Sequence, residues 1–171
     1  MDDVKKWVKE VLEKGYVISL GTTDEGGIWV TDLVYTHDEE FNIYWFSYET
    51  PRHSVALTKN PKVAGTITLS ANTKDPDIGL QIEGMAEKVE DKENKIALNY
   101  NAKKGRNTPW LLQEGQCWYR LKPKKIELIY EPLFGFEKKT LEMKLFFCRA
   151  KVKSLSESSL GGFQKKPRLV Q

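Results

Sequence analysis

The sequence predicts a small, mainly antiparallel β-barrel with short helices, and three observations lead to that prediction. Six or seven short segments are typical of strands, and clusters of Gly, Asn, Asp and Pro separate them. Helical patterns are few, and they do not alternate regularly with strands as in a parallel α/β sheet. The 171 residues suit one compact domain with a sizeable core.

An amphipathic helix and a three-strand meander occupy the start of the chain. The helix lies between Asp2 or Asp3, which can cap it, and Gly15, which can end it. Its apolar residues recur at the spacing of one helix face: Val4, Trp7, Val8, Val11 and Leu12. The predicted strands cover 16–22, 28–36 and 43–48, with a hairpin turn at 24–27.

The rest of the predicted barrel mixes short helices with further strands. Thr50-Pro51 is typical of an N-cap and first helical residue, so we expect a helix to about Lys59. Asp91 can cap another helix, and Thr108-Pro109 can open a helical turn that contains Trp110. The remaining predicted strands are 63–69, 79–89, 117–121 and 126–130, the last two separated by Pro123.

Charge and composition separate the predicted barrel domain, residues 1–140, from a C-terminal extension, residues 141–171. The extension carries seven Lys or Arg against two Asp or Glu, whereas the first 140 residues carry 20 against 22. Its low-complexity stretch at 154–162 favours a partly disordered basic tail, so we expect removal of 155–171 to leave the fold intact. The nearly neutral barrel argues against a nucleic-acid-binding face on that domain.

The composition also excludes several classes of protein. No apolar run reaches the roughly 18 residues of a membrane helix, and the N-terminus lacks the apolar core of a signal peptide, so we expect a cytoplasmic protein. The two cysteines, Cys117 and Cys148, indicate neither a disulfide framework nor a zinc motif. With only His37 and His53 available and no GxSxG elbow, no nucleophilic triad is indicated.

The segment from Ser47 to Ser54 carries the clearest chemical signal. It joins a predicted strand to a helix N-terminus, where unpaired backbone N–H groups and the helix dipole attract anions. Arg52 adds a guanidinium suited to phosphate oxygens, and His53 adds a further donor. The same pattern is typical of a helix start with a surface arginine and no ligand, so the local sequence leaves both interpretations open.

Aromatic residues are the other candidate ligand contacts. The 5 tryptophans and 7 tyrosines exceed what a small core needs, so one or two could flank a planar ring. Trp110 is the preferred candidate because it follows the polar loop 103–107. A purely core role for Trp110 is an equal alternative.

Seven short phrases follow one another in a specific order and spacing over about residues 1–140. They are Tyr35-x-x-Asp38, Ile43–Ser47, Thr50-x-Arg52-His53, Asn60-Pro61, Val63–Thr66, Gly79–Gly84 and Leu133–Lys139. In this order they resemble the pyridoxamine 5′-phosphate oxidase-like family of FMN-binding split barrels. The chain is most similar to the short bacterial members of that family.

The resemblance implies a split β-barrel that binds FMN at the interface of a homodimer. Strand 30–35 would run along the isoalloxazine ring, the end of the next strand would approach the ring or ribityl chain, and the following helix start would hold the phosphate. A residue near 110 would reach the partner's cofactor. The cofactor-binding residues so implied are Thr31, Leu33, Tyr35, Phe46, Ser47, Arg52, His53 and Gln81, to which the aromatic surplus adds Trp110.

This chain departs from the oxidase pattern in ways that bear on its reaction. His53 stands where the oxidase has a second, more basic residue, strand 30–35 lacks basic residues, and the Arg-x-His substrate motif is absent. The first two departures weaken the charge match to the phosphate, and the missing Arg-x-His motif argues against vitamin B6 oxidation. We expect an FMN-dependent oxidoreductase with an unidentified small-molecule substrate or electron donor. The alternatives are a split barrel that binds or regulates without flavin, and nucleic-acid contact through the basic tail, which the neutral barrel disfavours.

Overall fold

The computed structural model describes residues 2–143 as four helices and eight strands. The helices are α1 (Asp2–Lys14), α2 (Arg52–Lys59), α3 (Lys95–Ala102) and α4 (Glu131–Phe134). The strands are β1 (Val17–Asp24), β2 (Gly27–Val34), β3 (Thr36–His37), β4 (Ile43–Tyr48), β5 (Lys62–Thr68), β6 (Ile78–Val89), β7 (Gln116–Tyr130) and β8 (Lys139–Glu142). Residues 144–171, which include the predicted basic tail and the proposed truncation, lie outside the described residues.

The strands form one antiparallel sheet that curves into a half-barrel. Their order is β2-β1-β5-β6-β7-β4-β3, and β8 pairs with the C-terminal half of β7. β1 and β2 form the predicted hairpin, in which the two-residue turn Glu25-Gly26 leads into Gly27 at φ +94°, a conformation that favours glycine. The predicted antiparallel barrel with short helices is confirmed.

The main apolar core lies on the inner side of the sheet, and α1 packs into it. Val8, Val11 and Leu12 of α1 are fully buried, as are Ile18 and Leu20 of β1. The three- and four-residue spacing turns one face of α1 toward this core, as the sequence predicts. None of the helices within residues 2–143 is long and apolar enough to cross a membrane.

The structure has one strand around Pro123, where the sequence predicts two. The segments 117–121 and 126–130 are parts of the single strand β7, so the prediction of two strands is wrong. The register shifts beside Gly84, which leaves Lys124 as an extra residue next to Pro123. A bulge at this point accommodates a residue that has no N–H to donate to the ladder.

Two predicted helix starts also differ from the structure. Pro51, not Thr50, precedes α2 as its N-cap, and it makes no side-chain capping bond. The segment after Thr108-Pro109 is not helical, because the Trp110 N–H donates to the Ala97 carbonyl oxygen at 3.0 Å and holds the chain against α3. Both predictions were wrong.

The ends of two further elements are set by contacts across the fold. The Asp91 carboxylate accepts the N–H groups of Ile96 and Ala97 at 3.1 and 2.7 Å, so it caps α3 as expected. β8 was not predicted, and Leu141 within it is 4% exposed. β8 continues to Glu142.

Candidate functional site

β4 and α2 meet at a buried hydrogen bond between a hydroxyl and an imidazole. The Oγ of Ser47 and the Nε2 of His53 are 3.0 Å apart, and the two residues are 9% and 7% exposed. Ser47 is buried because alternate residues of β4, including Ile43 and Trp45, turn toward the core. The bond fixes the start of α2 relative to the end of β4.

Arg52, the first residue of α2, is held against the β1–β2 hairpin. Its Nε and Nη2 donate to the two carboxylate oxygens of Asp24, each at 2.8 Å, and its Cζ lies 4.9 Å from the centroid of the Trp29 ring. A Cβ at Gly26 would lie 2.8 Å from Nη2, so the glycine leaves the space that the guanidinium occupies. Asp24 engages two of the five N–H donors of an arginine and leaves the others for a second acceptor.

The protonation states at the junction follow from these surroundings. The hydrogen bond from Arg52 lowers the pKa of Asp24 to about 2, so this carboxylate is ionised at neutral pH. Burial lowers the pKa of His53 below its ordinary value of 6.5, so its imidazole is neutral at pH 7. The positive charge at the start of α2 is therefore that of Arg52.

The backbone at the start of α2 also offers hydrogen-bond donors. The first backbone bond of this helix runs from the Val55 N–H to the Pro51 carbonyl oxygen at 3.0 Å. The N–H groups of residues 52–54 precede that bond, and the first turn of the helix contains no acidic residue. Such a helix start attracts an anionic group, for example a phosphate.

The two faces of β2 lie in different surroundings. Trp29 and Thr31 are directly opposite Thr22 and Leu20, two buried residues of β1, so they share the inner face and turn toward α2. Ile28, Val30 and Asp32 therefore lie on the outer face of the sheet.

Tyr35 follows directly after β2, which ends at Val34. Its ring is fully buried, its hydroxyl donates to the Leu12 carbonyl oxygen at 2.9 Å, and burial raises its pKa. Lys103 contacts the same carbonyl oxygen, at 3.0 Å, and its Nζ lies 3.6 Å from the centroid of the Tyr35 ring. Tyr35 therefore packs the core and ties β2 to α1.

Phe46 and Trp110 belong to an aromatic cluster beside α3. Phe46 and Ser47 point to opposite faces of β4, as successive strand residues do. The Phe46 ring stacks on that of Trp110, with centroids 5.2 Å apart, and both contact Tyr100. Trp118 completes the cluster. Trp110 thus has a packing role in this chain.

Gln81 lies on the outer face of the sheet. Its Oε1 accepts a hydrogen bond from the Nζ of Lys138 at 2.6 Å. With Val30 and Thr66 it lines a shallow cleft of about 460 Å³ on that face. The register of β6 therefore turns Gln81 away from the inner core side of the sheet.

Comparisons with known proteins agree on the fold. No protein-family model matches the chain. A UPF0306 protein of Photorhabdus laumondii is 26% identical over 91 residues, which cover 53% of this chain and less than two thirds, 64%, of that relative. The structure superposes on a candidate pyridoxamine 5′-phosphate oxidase from Listeria innocua with a TM-score of 0.60 and 18% identity, over 74% of this chain and 98% of the other. The chain folds as a split β-barrel of the pyridoxamine 5′-phosphate oxidase type.

The same split-barrel fold occurs in a heme-binding protein from Mycobacterium smegmatis. That structure superposes with a TM-score of 0.62 and 16% identity, over 81% of this chain and 57% of the other. Within residues 2–143 of the present split barrel, no three His, Cys, Asp or Glu side chains are grouped so as to hold a metal ion.

The split barrel brings together only part of the predicted residue set. Ser47, Arg52 and His53 meet at the β4–α2 junction, and Thr31 lies on the face of β2 that turns toward α2. Leu33 shares that face and packs partly against the main core. The other four predicted residues lie in the core, in the aromatic cluster or on the outer face: Tyr35, Phe46, Trp110 and Gln81.

Three residues of the split-barrel junction were missed by sequence reasoning. Asp24, Gly26 and Trp29 surround the Arg52 guanidinium, although they precede it by more than 20 residues. The hairpin pattern at 24–27 indicates a turn, but no local signal shows that the turn folds onto a helix that follows later in the chain.

Proposed function

We propose that this split barrel binds FMN at the β4–α2 junction and uses it for electron or hydride transfer with a small molecule. The start of α2 is the observation that most directly supports the proposal. A guanidinium with unused donors, three leading backbone N–H groups and a buried hydroxyl–imidazole pair meet where the end of β4 approaches the first turn of α2. That donor set suits the phosphate of a mononucleotide.

Each group at the junction has a distinct part in the proposed site. Arg52 binds the phosphate through the N–H groups that Asp24 does not engage, while Asp24 and Trp29 hold the guanidinium in position. The neutral His53 adds no charge and instead orients the Ser47 hydroxyl. The N–H groups at the start of α2 complete the anion site.

β2 would hold the rest of the cofactor at its exposed edge, beside the residues that turn toward α2. Thr31 offers a half-buried hydroxyl on the inner face, next to the exposed edge of the strand. When bound, the flavin supplies the redox chemistry, and the protein binds and orients it. Hydride or electron transfer itself requires no protein acid or base, which agrees with a junction where Asp24 and Arg52 are paired with each other.

A homodimer is part of this proposal because the barrel leaves no room inside. Ile18, Leu20 and Trp45 are fully buried and fill the interior, as side chains do in small barrels. FMN would therefore bind outside the core, between this chain and a partner. A second subunit related by a two-fold axis provides the other wall of this site and uses the same residues in return.

Heme is the competing ligand, since the Mycobacterium smegmatis protein of this fold binds it. Histidine is a common axial ligand of heme iron, and this chain has two histidines, His37 and His53. His53 is buried against Ser47, and the Nδ1 of the partly buried His37 lies 3.2 Å from the Asp38 carbonyl oxygen. Neither imidazole is presented to a planar ligand, so the donor set favours a phosphate-bearing flavin.

The chromophore of the purified full chain tests the proposal. We expect a yellow protein that releases FMN on denaturation, and a stripped protein that rebinds FMN more tightly than riboflavin, which lacks the phosphate. Equal affinity for FMN and riboflavin would reject the phosphate site. A heme Soret band would show that the protein binds heme and not flavin. A colourless protein that binds neither ligand would support a binding or regulatory module.

A further inference from the structure

We propose that the β1–β2 hairpin makes the junction select a ligand that ends in a single phosphate, with Asp24 and Glu25 as the specificity-determining residues. The inference rests on the phosphate site of the proposed function and adds which phosphate ligands that site rejects. The rejected class consists of ligands that continue through a second phosphate, as dinucleotides do. The reason lies in the charges of one cleft beside Arg52.

A cleft of about 290 Å³ lies between the hairpin and α2, next to the proposed phosphate position. Arg52 lines this cleft and also carries the unused N–H groups that would bind the first phosphate. Lys59 lines it as well. The two cations are seven positions apart, so they share one face of the helix and lie about 10 Å apart along its axis. A second phosphate linked to the first would therefore enter this cleft.

Both cations of the cleft are already paired with carboxylates of the hairpin. Arg52 contacts Asp24 at 2.8 Å, and Lys59 contacts Glu25 at 3.0 Å. Among the described residues that line the cleft, no further cation is left for a second phosphate. That phosphate would instead lie beside two carboxylates, and like charges placed together at a binding surface disfavour the wrong ligand.

The apolar part of the cleft offers nothing to offset that repulsion. Between the two ion pairs the cleft is lined by Val55 and Ala56, whose side chains carry no hydrogen-bond donor. From Val55 onward the backbone N–H groups are hydrogen-bonded within α2. Moving a phosphate out of water without replacing its hydrogen bonds is costly. The first phosphate avoids this cost, because Arg52 and the leading N–H groups of α2 replace the water.

The two carboxylates differ in how firmly they are held. The Asp24 side chain is 24% exposed, and both of its oxygens accept hydrogen bonds from Arg52, so its charge stays beside the phosphate position. The Glu25 side chain is 90% exposed, so water and salt screen its charge. We therefore expect Asp24 to contribute more to the selection than Glu25.

Equilibrium titration of the flavin-free full chain with FMN and with FAD, which carries a second phosphate, tests the selection. We expect the wild type to bind FMN about tenfold or more tightly than FAD. Glu25→Gln should reduce this ratio about threefold, and the double variant Asp24→Asn, Glu25→Gln about tenfold. Glu93→Gln is the matched control and should keep the ratio, because it removes the same charge from a similarly exposed ion pair, with Lys95, just before α3.

Inorganic phosphate and pyrophosphate, titrated by calorimetry, provide a second measurement that needs no flavin. Pyrophosphate carries more negative charge, so an open basic site would bind it more tightly than phosphate. We expect the wild type to bind phosphate at least as tightly as pyrophosphate, and the double variant to reverse that order. Far-UV circular dichroism shows that each variant is folded. If Asp24→Asn does not fold, Glu25→Gln decides alone.

The outcomes separate this inference from the proposed function. A wild type that binds FAD as tightly as FMN, or folded hairpin variants that keep the wild-type ratio, would overturn the selection by the hairpin and leave the FMN site in place. A protein that binds no flavin, yet prefers phosphate to pyrophosphate until the hairpin carboxylates are removed, would support the selection and reject the flavin. A wild type that binds neither flavin nor phosphate would overturn both.

Discussion

The β4–α2 junction and the outer face of the sheet differ in almost every physical respect, although β2 borders both. At the junction, polar side chains are buried or half-buried and paired, as in Ser47 with His53 and Arg52 with Asp24. On the outer face, Ile28 and Val30 are apolar and exposed. The first arrangement suits a small ligand of defined geometry, whereas the second offers no paired polar groups to such a ligand.

The difference shows how one strand can border two surfaces of unlike chemistry. Directional hydrogen bonds hold the junction in one geometry before any ligand arrives. The apolar face has no such directional contacts and gains free energy only when water is excluded from it. Substitutions at the junction should therefore change stability and ligand affinity.

The largest expected effect comes from the buried pair. His53→Ala should lower the free energy of unfolding by about 2–4 kcal/mol, because it opens a cavity and leaves the Ser47 hydroxyl without its partner. Val55→Ala is the control in the same helix, since Val55 is 47% exposed and should change stability by less than about 0.5 kcal/mol. Urea denaturation measures the free energy of unfolding of both variants. Equal values would show that the Ser47–His53 hydrogen bond does not stabilise the fold.

The next effect concerns ligand affinity. Arg52→Ala should weaken FMN binding by about 1.5–3 kcal/mol, roughly 10- to 150-fold, because a charge-assisted phosphate contact is lost. Arg52→Lys should fall in between, since lysine keeps the charge but not the planar fork. Fluorescence titration of folded variants measures these affinities.

Lys59→Ala is the matched control for the arginine. Lys59 also joins α2 to the hairpin, through an ion pair with Glu25 at 3.0 Å, but its side chain is 69% exposed. We expect less than about a threefold change in FMN affinity, because exposed ion pairs contribute little. Equal losses in Arg52→Ala and Lys59→Ala would mean that general charge, and no specific phosphate contact, governs binding.

A smaller effect tests whether Tyr35 belongs to the core or to the ligand site. Tyr35→Phe removes the hydroxyl that donates to Leu12 and should cost about 0.5–1.5 kcal/mol of stability. FMN affinity should not change, because the ring lies in the core. A clear loss of FMN affinity with unchanged stability would show that Tyr35 contacts the cofactor.

Acid titration gives the last comparison. Burial lowers the pKa of His53 in the folded chain. Below about pH 6.5 the unfolded chain therefore binds a proton that the folded chain does not, and the free energy of unfolding decreases as the pH falls from that value. The ionised Asp24, whose pKa falls from an ordinary 3.8 to about 2 on folding, contributes stability that is lost progressively as the pH decreases from about 5 toward 2. His53→Ala should show a shallower decline between pH 6.5 and 4, and an identical slope would assign the decline to His37 or another group.

Local patterns predicted most elements, because the interactions that form them are local. The spacing of Val8, Val11 and Leu12 was enough for α1, and the turn residues around Gly27 were enough for the hairpin. Pro123 led to the wrong prediction of two strands, because a bulge in a long strand and a break between two strands have the same local sequence pattern.

The candidate site was less predictable because its contacts are distant in sequence. Ser47 and His53 are close along the chain and were identified, whereas the Asp24 and Trp29 contacts to Arg52 depend on how α2 packs on the hairpin. The assignment of Tyr35 to the flavin came from the family resemblance and stays a prediction, and the sequence does not show that β2 ends at Val34. Which face of a strand meets a ligand is likewise decided by tertiary packing.

The central claim is that FMN binds at the β4–α2 junction of a dimer. Sedimentation of the full chain with FMN, monitored at a wavelength where only flavin absorbs, tests it most directly. The account predicts that flavin sediments with the dimer at one FMN per subunit in the wild type, and that Arg52→Ala leaves most of the flavin unbound at the same concentrations. Flavin that stays free with the wild-type protein, or that sediments tightly bound to a monomer, would contradict it.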